Sequence, residues 1–139
     1  MAASKISGGK NFRTEAKRWY DNDCVRFGLS LQDAGAYVYA WHEENDPDYC
    51  KIGYCTKDPF TYIWDGSALS HQRRLPVIFL SLGVASAREA RVIEETLHQQ
   101  FREDHLDRAT SREWFKVNKN EIVEYVRTHQ STLLHTAAP

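Results

Sequence analysis

The sequence predicts an α/β (α+β) domain in which a small, mainly antiparallel three-stranded sheet is flanked by helices. Tyr37, Tyr39 and Trp41 alternate with Ala36, Val38 and Ala40, the period-two pattern of a strand, so three aromatic rings share one surface. A second extended run, from Tyr49 to Tyr54, follows a connection too short for a parallel crossover, so the two strands pair antiparallel. Farther on, Ala87, Ala90, Ile93, Leu97 and Phe101 recur at helical spacing and give an apolar face for a sheet to receive. With 139 residues, 42% of them hydrophobic, the chain fits one domain with a real core.

Taken in order, residues Met1 to Lys10 read as a flexible arm, and Asn11 caps a helix from Phe12 to about Tyr20. Its Arg13, Lys17 and Arg18 against Glu15 make a basic face, more simply a solvated surface than a phosphate contact. Asp21 to Asp33 is irregular. Gly35 opens the first strand, Ala36 to about His42, and the polar run Glu43 to Asp48 turns the hairpin into the second. Asp58-Pro59, a cap followed by a proline at the first helical position, starts a short helix over Phe60 to Trp64 that Asp65-Gly66-Ser67 interrupts. Pro76 to Leu80 is a third, buried strand. Ser86 and Glu89 form a capping box that opens the strongest helix. Glu113 to Val117 is a short edge strand, and Asn118 caps a closing helix from Lys119 to about Thr128. The resulting organisation is an amino-terminal arm and helix over 1–34, the domain proper over 35–129, and a flexible, frayed tail over 130–139.

Composition narrows the function. Eighteen Lys and Arg against nineteen Asp and Glu give a formal charge of −1, so any nucleic-acid binding must come from a local patch. Three cysteines, Cys24, Cys50 and Cys55, form no C-x-x-C pair and follow no apolar signal, which fits a reducing cytoplasm. The longest apolar run, Leu75 to Leu82, falls far short of the roughly 20 residues that span a bilayer, so no membrane partner is expected.

The order of motifs carries the chemistry. Tyr37-Val38-Tyr39, then Lys51-Ile52-Gly53-Tyr54-Cys55-Thr56, then Glu94, His98 and Phe101 in a Glu-x-x-x-His-x-x-Phe pattern, then Arg112-Glu113-Trp114-Phe115 follow one another at plausible spacing. Over Gly35 to Val117 this order resembles the GIY-YIG nuclease family, in particular its small phage-associated branch with a Lys-Ile-Gly second motif. The resemblance implies metal-dependent hydrolysis of phosphodiester bonds in DNA, RNA not being excluded, in a bacterial or phage-infected cell. It implies Glu94 as ligand of Mg²⁺ (or Mn²⁺), Tyr39 as the group that activates water, and Tyr37 beside it. Lys51 and His98 would handle phosphate charge. It also implies an arginine ten residues beyond the second glycine, where Tyr62 stands; Arg73 or Arg74 is the nearest substitute. Glu113 is assigned to structure. A homodimer or a protein partner would supply the specificity that so small a domain lacks.

Blander readings compete with each of these. A strand tyrosine is most often a packing residue, and for Tyr37 that is the better reading. Glu94 on a helix edge is usually a solvated flank, but its pairing with His98 makes it the strongest site residue. Trp19, Trp41, Trp64 and Trp114 more often fill a core than stack on bases. A zinc site from Cys50 and Cys55 with His71 or His105 lacks the usual cysteine spacing. A binding module of the same fold without turnover is the alternative to the nuclease, favoured by Tyr62 and the near-neutral charge. An accessory protein that binds a host protein through its aromatics is the third reading.

Overall fold

In a computed structural model, described over residues 9–66, 75–106 and 114–139, one mixed sheet separates two layers of helices. The strands are β1 (Val25–Gly28), β2 (Ala36–Glu43), β3 (Cys50–Cys55), β4 (Pro76–Val84) and β5 (Trp114–Phe115), and their order across the sheet is β1-β4-β2-β3-β5. The helices are α1 (Gly9–Asp23), α2 (Pro59–Gly66), α3 (Ala87–Gln100) and α4 (Lys119–Ala137), with a 3₁₀ turn at Arg102–Asp104. The α+β class expected from the sequence is the class observed, and the expected antiparallel strands β2, β3 and β4 are its centre. Two strands extend it: β5 antiparallel to β3, and β1 parallel to β4.

The alternation in β2 divides the core. Ala36, Val38 and Ala40 pack with Ile93 and Leu97 of α3 and with Ile122 and Val126 of α4. Tyr37, Tyr39 and Trp41 pack with Phe12, Ala16 and Tyr20 of α1 and with Phe60, Ile63 and Trp64 of α2. All four tryptophans belong to this second cluster, Trp41 and Trp64 as buried members and Trp19 and Trp114 packed against them.

Local chemistry explains the element ends. Ser86 accepts the Glu89 N–H at 3.2 Å, while Glu89 reaches back to the Ala85 N–H at 3.0 Å, one residue earlier than in a standard capping box. Asp58 receives the Thr61 N–H at 3.3 Å ahead of Pro59, so α2 starts where the sequence places it. Gly28 ends β1 with φ +75°, and a Cβ there would lie 2.3 Å from the Gly83 carbonyl oxygen.

Three expectations change. The stretch from Asp21 to Asp33, expected to be irregular, contains β1. Strand β4 continues past Leu80 to Val84, because Leu82 and Val84 alternate inward as Leu80 does. The carboxy-terminal residues are helical to Ala137 rather than frayed, since Leu133 and Ala137 reach the core on the same face. The amino-terminal helix also begins earlier than expected, at Gly9.

The pairing of β2 with β4 shifts by one residue: Ala40 faces Leu80 and Trp41 faces Ile78, which leaves Phe79 as an extra residue in β4. Strand β1 begins at Val25, opposite Leu80, so among the described residues no strand lies along the outer edge of Val77–Phe79.

Candidate active site

The sheet distributes the expected site residues over two faces. Tyr37 stands across from Cys55, Tyr39 from Gly53 and Trp41 from Lys51, so all six share the face that α1 and α2 cover. Lys51 is thus the diagonal neighbour of Tyr39, on the face where the hairpin register was expected to put it. Glu94 and His98 lie instead on α3, whose Ala90, Ile93 and Leu97 pack against the opposite face.

Tyr37 behaves as a packing residue. Its hydroxyl donates to the Leu31 carbonyl at 3.2 Å, and burial raises the phenol above its usual range, away from the value that a base needs. Tyr39 is 2% exposed, flanked in register by Gly53 and Ser81. Those two small neighbours leave room on this face for α2 to lay Tyr62 against the Tyr39 ring, centroids 6.0 Å apart. Tyr62, which stands where an arginine was expected, is 43% exposed and forms the outer ring of the pair. Sequence reasoning noted Tyr62 only as a departure, because a contact between a strand and a later helix leaves no local signal.

On α3, Glu94 is 8% exposed, an unusual position for a carboxylate. His98 follows one turn later, its Nε2 3.8 Å from Glu94 Oε2, too long for a hydrogen bond. The same Nε2 lies 2.8 Å from the Ile52 carbonyl oxygen on β3. A carbonyl can only accept, so Nε2 carries the proton and donates it, and His98 is fixed in that tautomer. Its ring also packs on Phe115, centroids 4.9 Å apart. His98 therefore pins α3 to β3 through the nitrogen that faces Glu94. Arg73, Arg74, His71, Arg112 and Glu113 lie outside the described residues.

The donor set suits a hard ion better than a soft one. Among the described residues, no three His, Cys, Asp or Glu side chains converge as a ligand group. Burial pushes the thiols of Cys50 and Cys55 up to about 12, and both donate to backbone carbonyls. Mg²⁺, in contrast, is commonly held by one or two carboxylates with waters and substrate phosphate, a requirement that Glu94 can meet.

A family model described as the T5orf172 domain matches residues 36–130, which takes in the sheet from β2 onward, α2, α3 and the first part of α4. The chain belongs to the T5orf172 domain family. This corrects the resemblance to GIY-YIG nucleases, because the family matched is a distinct one. The motifs that carried the resemblance are short and each is weakly specific, and Tyr62 occupies the place of its arginine. T5orf172 domains are phage-associated and nuclease-like or DNA-binding, which makes the function of this chain nucleic-acid-related. No curated protein and no solved structure matches the chain. Among the described residues, no helix of this T5orf172 domain is long and apolar enough to cross a membrane.

Proposed function

We propose that this T5orf172 domain hydrolyses phosphodiester bonds in DNA with a divalent ion, Mg²⁺ or Mn²⁺, held by Glu94. The observation that carries the reading is the buried Glu94 carboxylate, one helical turn from a histidine anchored to a strand edge. At 8% exposure the carboxylate is little screened by water, so a divalent ion beside it would be held more strongly than at an open surface. The ion, when bound, neutralises charge that develops on the phosphate and acidifies a bound water. The chain's own groups do the rest. His98 orients Glu94 by fixing α3 to the Ile52 carbonyl. Gly53, across from Tyr39, places no side chain between Tyr39 and Lys51 on the sheet face that the two share. Tyr39 positions the attacking water there, and Lys51, with Arg73 or Arg74, balances phosphate charge.

Binding without turnover is the second reading, favoured by one observation: Tyr39 is buried beneath the ring of Tyr62. Supercoiled plasmid incubated with Mg²⁺ or Mn²⁺ separates the two. Nicking by the wild type that falls by at least about 10²-fold in Glu94→Ala supports hydrolysis, the loss expected when a main stabiliser of transition-state charge is removed. A retarded but uncut plasmid supports the binding module; equal nicking by both proteins removes Glu94 from the reaction.

A further inference from the structure

A second site lies at the opposite end of β2 from Tyr37. His42, at the end of that strand, is 3% exposed, and its Nδ1 is 2.6 Å from the Glu43 carbonyl oxygen. The carbonyl must accept, so Nδ1 carries the proton and Nε2 presents a bare lone pair. That Nε2 is fully buried and, among the described residues, has no hydrogen-bond partner, an unfavourable state for a buried acceptor unless something donates to it. His42 also lines a cavity of about 280 Å³, together with Trp19, Phe79 and Lys119, among others. The cavity lies beside the part of β4 that precedes its pairing with β1, and the ring of Phe79, the extra residue of β4, packs on His42 with centroids 5.6 Å apart. A second hollow of about 340 Å³ shares Asp23, Phe79 and Lys119 with the first and continues to Arg127.

We propose that this cavity holds one unstacked nucleotide of the nucleic acid, its base between Trp19 and Phe79 with an N–H on His42 Nε2, and its phosphate at Lys119. Each requirement of such a ligand has a counterpart. A base offers flat faces to aromatic rings and an edge that donates hydrogen bonds. Lys119, at the first turn of α4, brings a side-chain cation together with the positive end of a helix dipole, whereas Arg127, in the second hollow, is paired with Glu124 at 3.0 Å. Glu44 also lines the first cavity, but its Oε1 already accepts the Leu75 N–H at 2.8 Å. Asp23 lines both hollows and repels phosphate, so the phosphate sits on the Lys119 side and Asp23 is left to accept a sugar hydroxyl. This inference rests on the nucleic-acid function of the family but not on cleavage, because the cavity contains none of Glu94, His98, Tyr39 or Lys51.

Calorimetric titration of the whole chain with AMP and with purine riboside monophosphate, which lacks the exocyclic amine, tests the assignment. Wild type should bind AMP saturably and about five- to tenfold more tightly than the analogue, the worth of one hydrogen bond to a site built for it. His42→Phe should erase that preference, Lys119→Ala should weaken both ligands, and Glu94→Ala should bind AMP as the wild type does. The comparison of two ligands on wild type stands even where a variant fails to fold. Absence of saturable AMP binding, or equal affinity for both ligands, overturns the proposal and leaves the cavity to water. Plasmid nicking lost in Glu94→Ala while AMP fails to bind would sink the nucleotide site alone; AMP binding without any nicking would sink cleavage alone.

Discussion

At the scale of single residues, the two histidines near β2 and β3 show how one hydrogen bond decides what an imidazole can do. His98 donates from Nε2 to Ile52, so that nitrogen is closed to phosphate and to metal; its expected phosphate role narrows to positioning. His42 donates from Nδ1 to Glu43 and leaves Nε2 open inside the fold. Burial is the main cause that lowers the pKa of His42, with Lys119 adding to it, while Glu43, Asp46 and Asp48 oppose it. The sign follows directly. The unfolded chain takes up a proton near pH 6.5 and the folded chain only at lower pH, so stability is full above about 6.5 and declines as pH falls toward the depressed value. Thermal unfolding of wild type and His42→Phe at pH 7.5 and 5.5 should show a larger drop in Tm for wild type; equal drops would mean that His42 is not held neutral. Neither imidazole's state was legible in the sequence, because each depends on which carbonyl the fold brings to it.

Elements were legible where the signal is local. The β2–β3 hairpin, the Asp58-Pro59 start of α2 and the Ser86 cap of α3 depend on residues within a few positions of one another, and all three stand where the sequence places them. Strand β1 depends on a partner, β4, that lies far along the chain, and its four residues alternate half-buried with exposed, too short a run to stand out. The end of α4 failed differently. His129 to Thr132 reads as polar, yet Leu133 and Ala137, four apart on one helix face, are 3% and 2% exposed. Leu133→Ala should therefore cost about 2–5 kcal/mol in urea-induced unfolding. An exposed position one residue before it, Thr132→Ala, should stay within about 0.5 kcal/mol. Similar midpoints for the two variants would return the carboxy-terminal residues to the flexible tail first expected.

At the scale of the whole molecule, the fold class, the central antiparallel strands and the helix that carries Glu94 were readable, but their assembly was not. Alternation along β2 shows which residues share a face; it cannot show that α3 covers the other face, so Tyr39 and Glu94 looked like facing walls of one cleft. The formal charge of −1 sets the remaining constraint. Lys17 is paired with Asp21, Arg18 with Glu15 and Arg127 with Glu124, so these three cations are already neutralised within their own helices. Few phosphates can then be engaged at once. With about three contacts on duplex DNA, the slope of log K against log salt is near −2.7, and a fourfold rise in salt weakens binding roughly 40-fold. Fluorescence anisotropy of a labelled duplex between 50 and 200 mM salt should give a slope of that size. Lys119→Ala should make it shallower by about one unit if that lysine meets a phosphate. A slope near zero would remove the phosphates from the interface, whereas one steeper than about −6 would require a basic surface that the charge pairing on α1 and α4 does not offer.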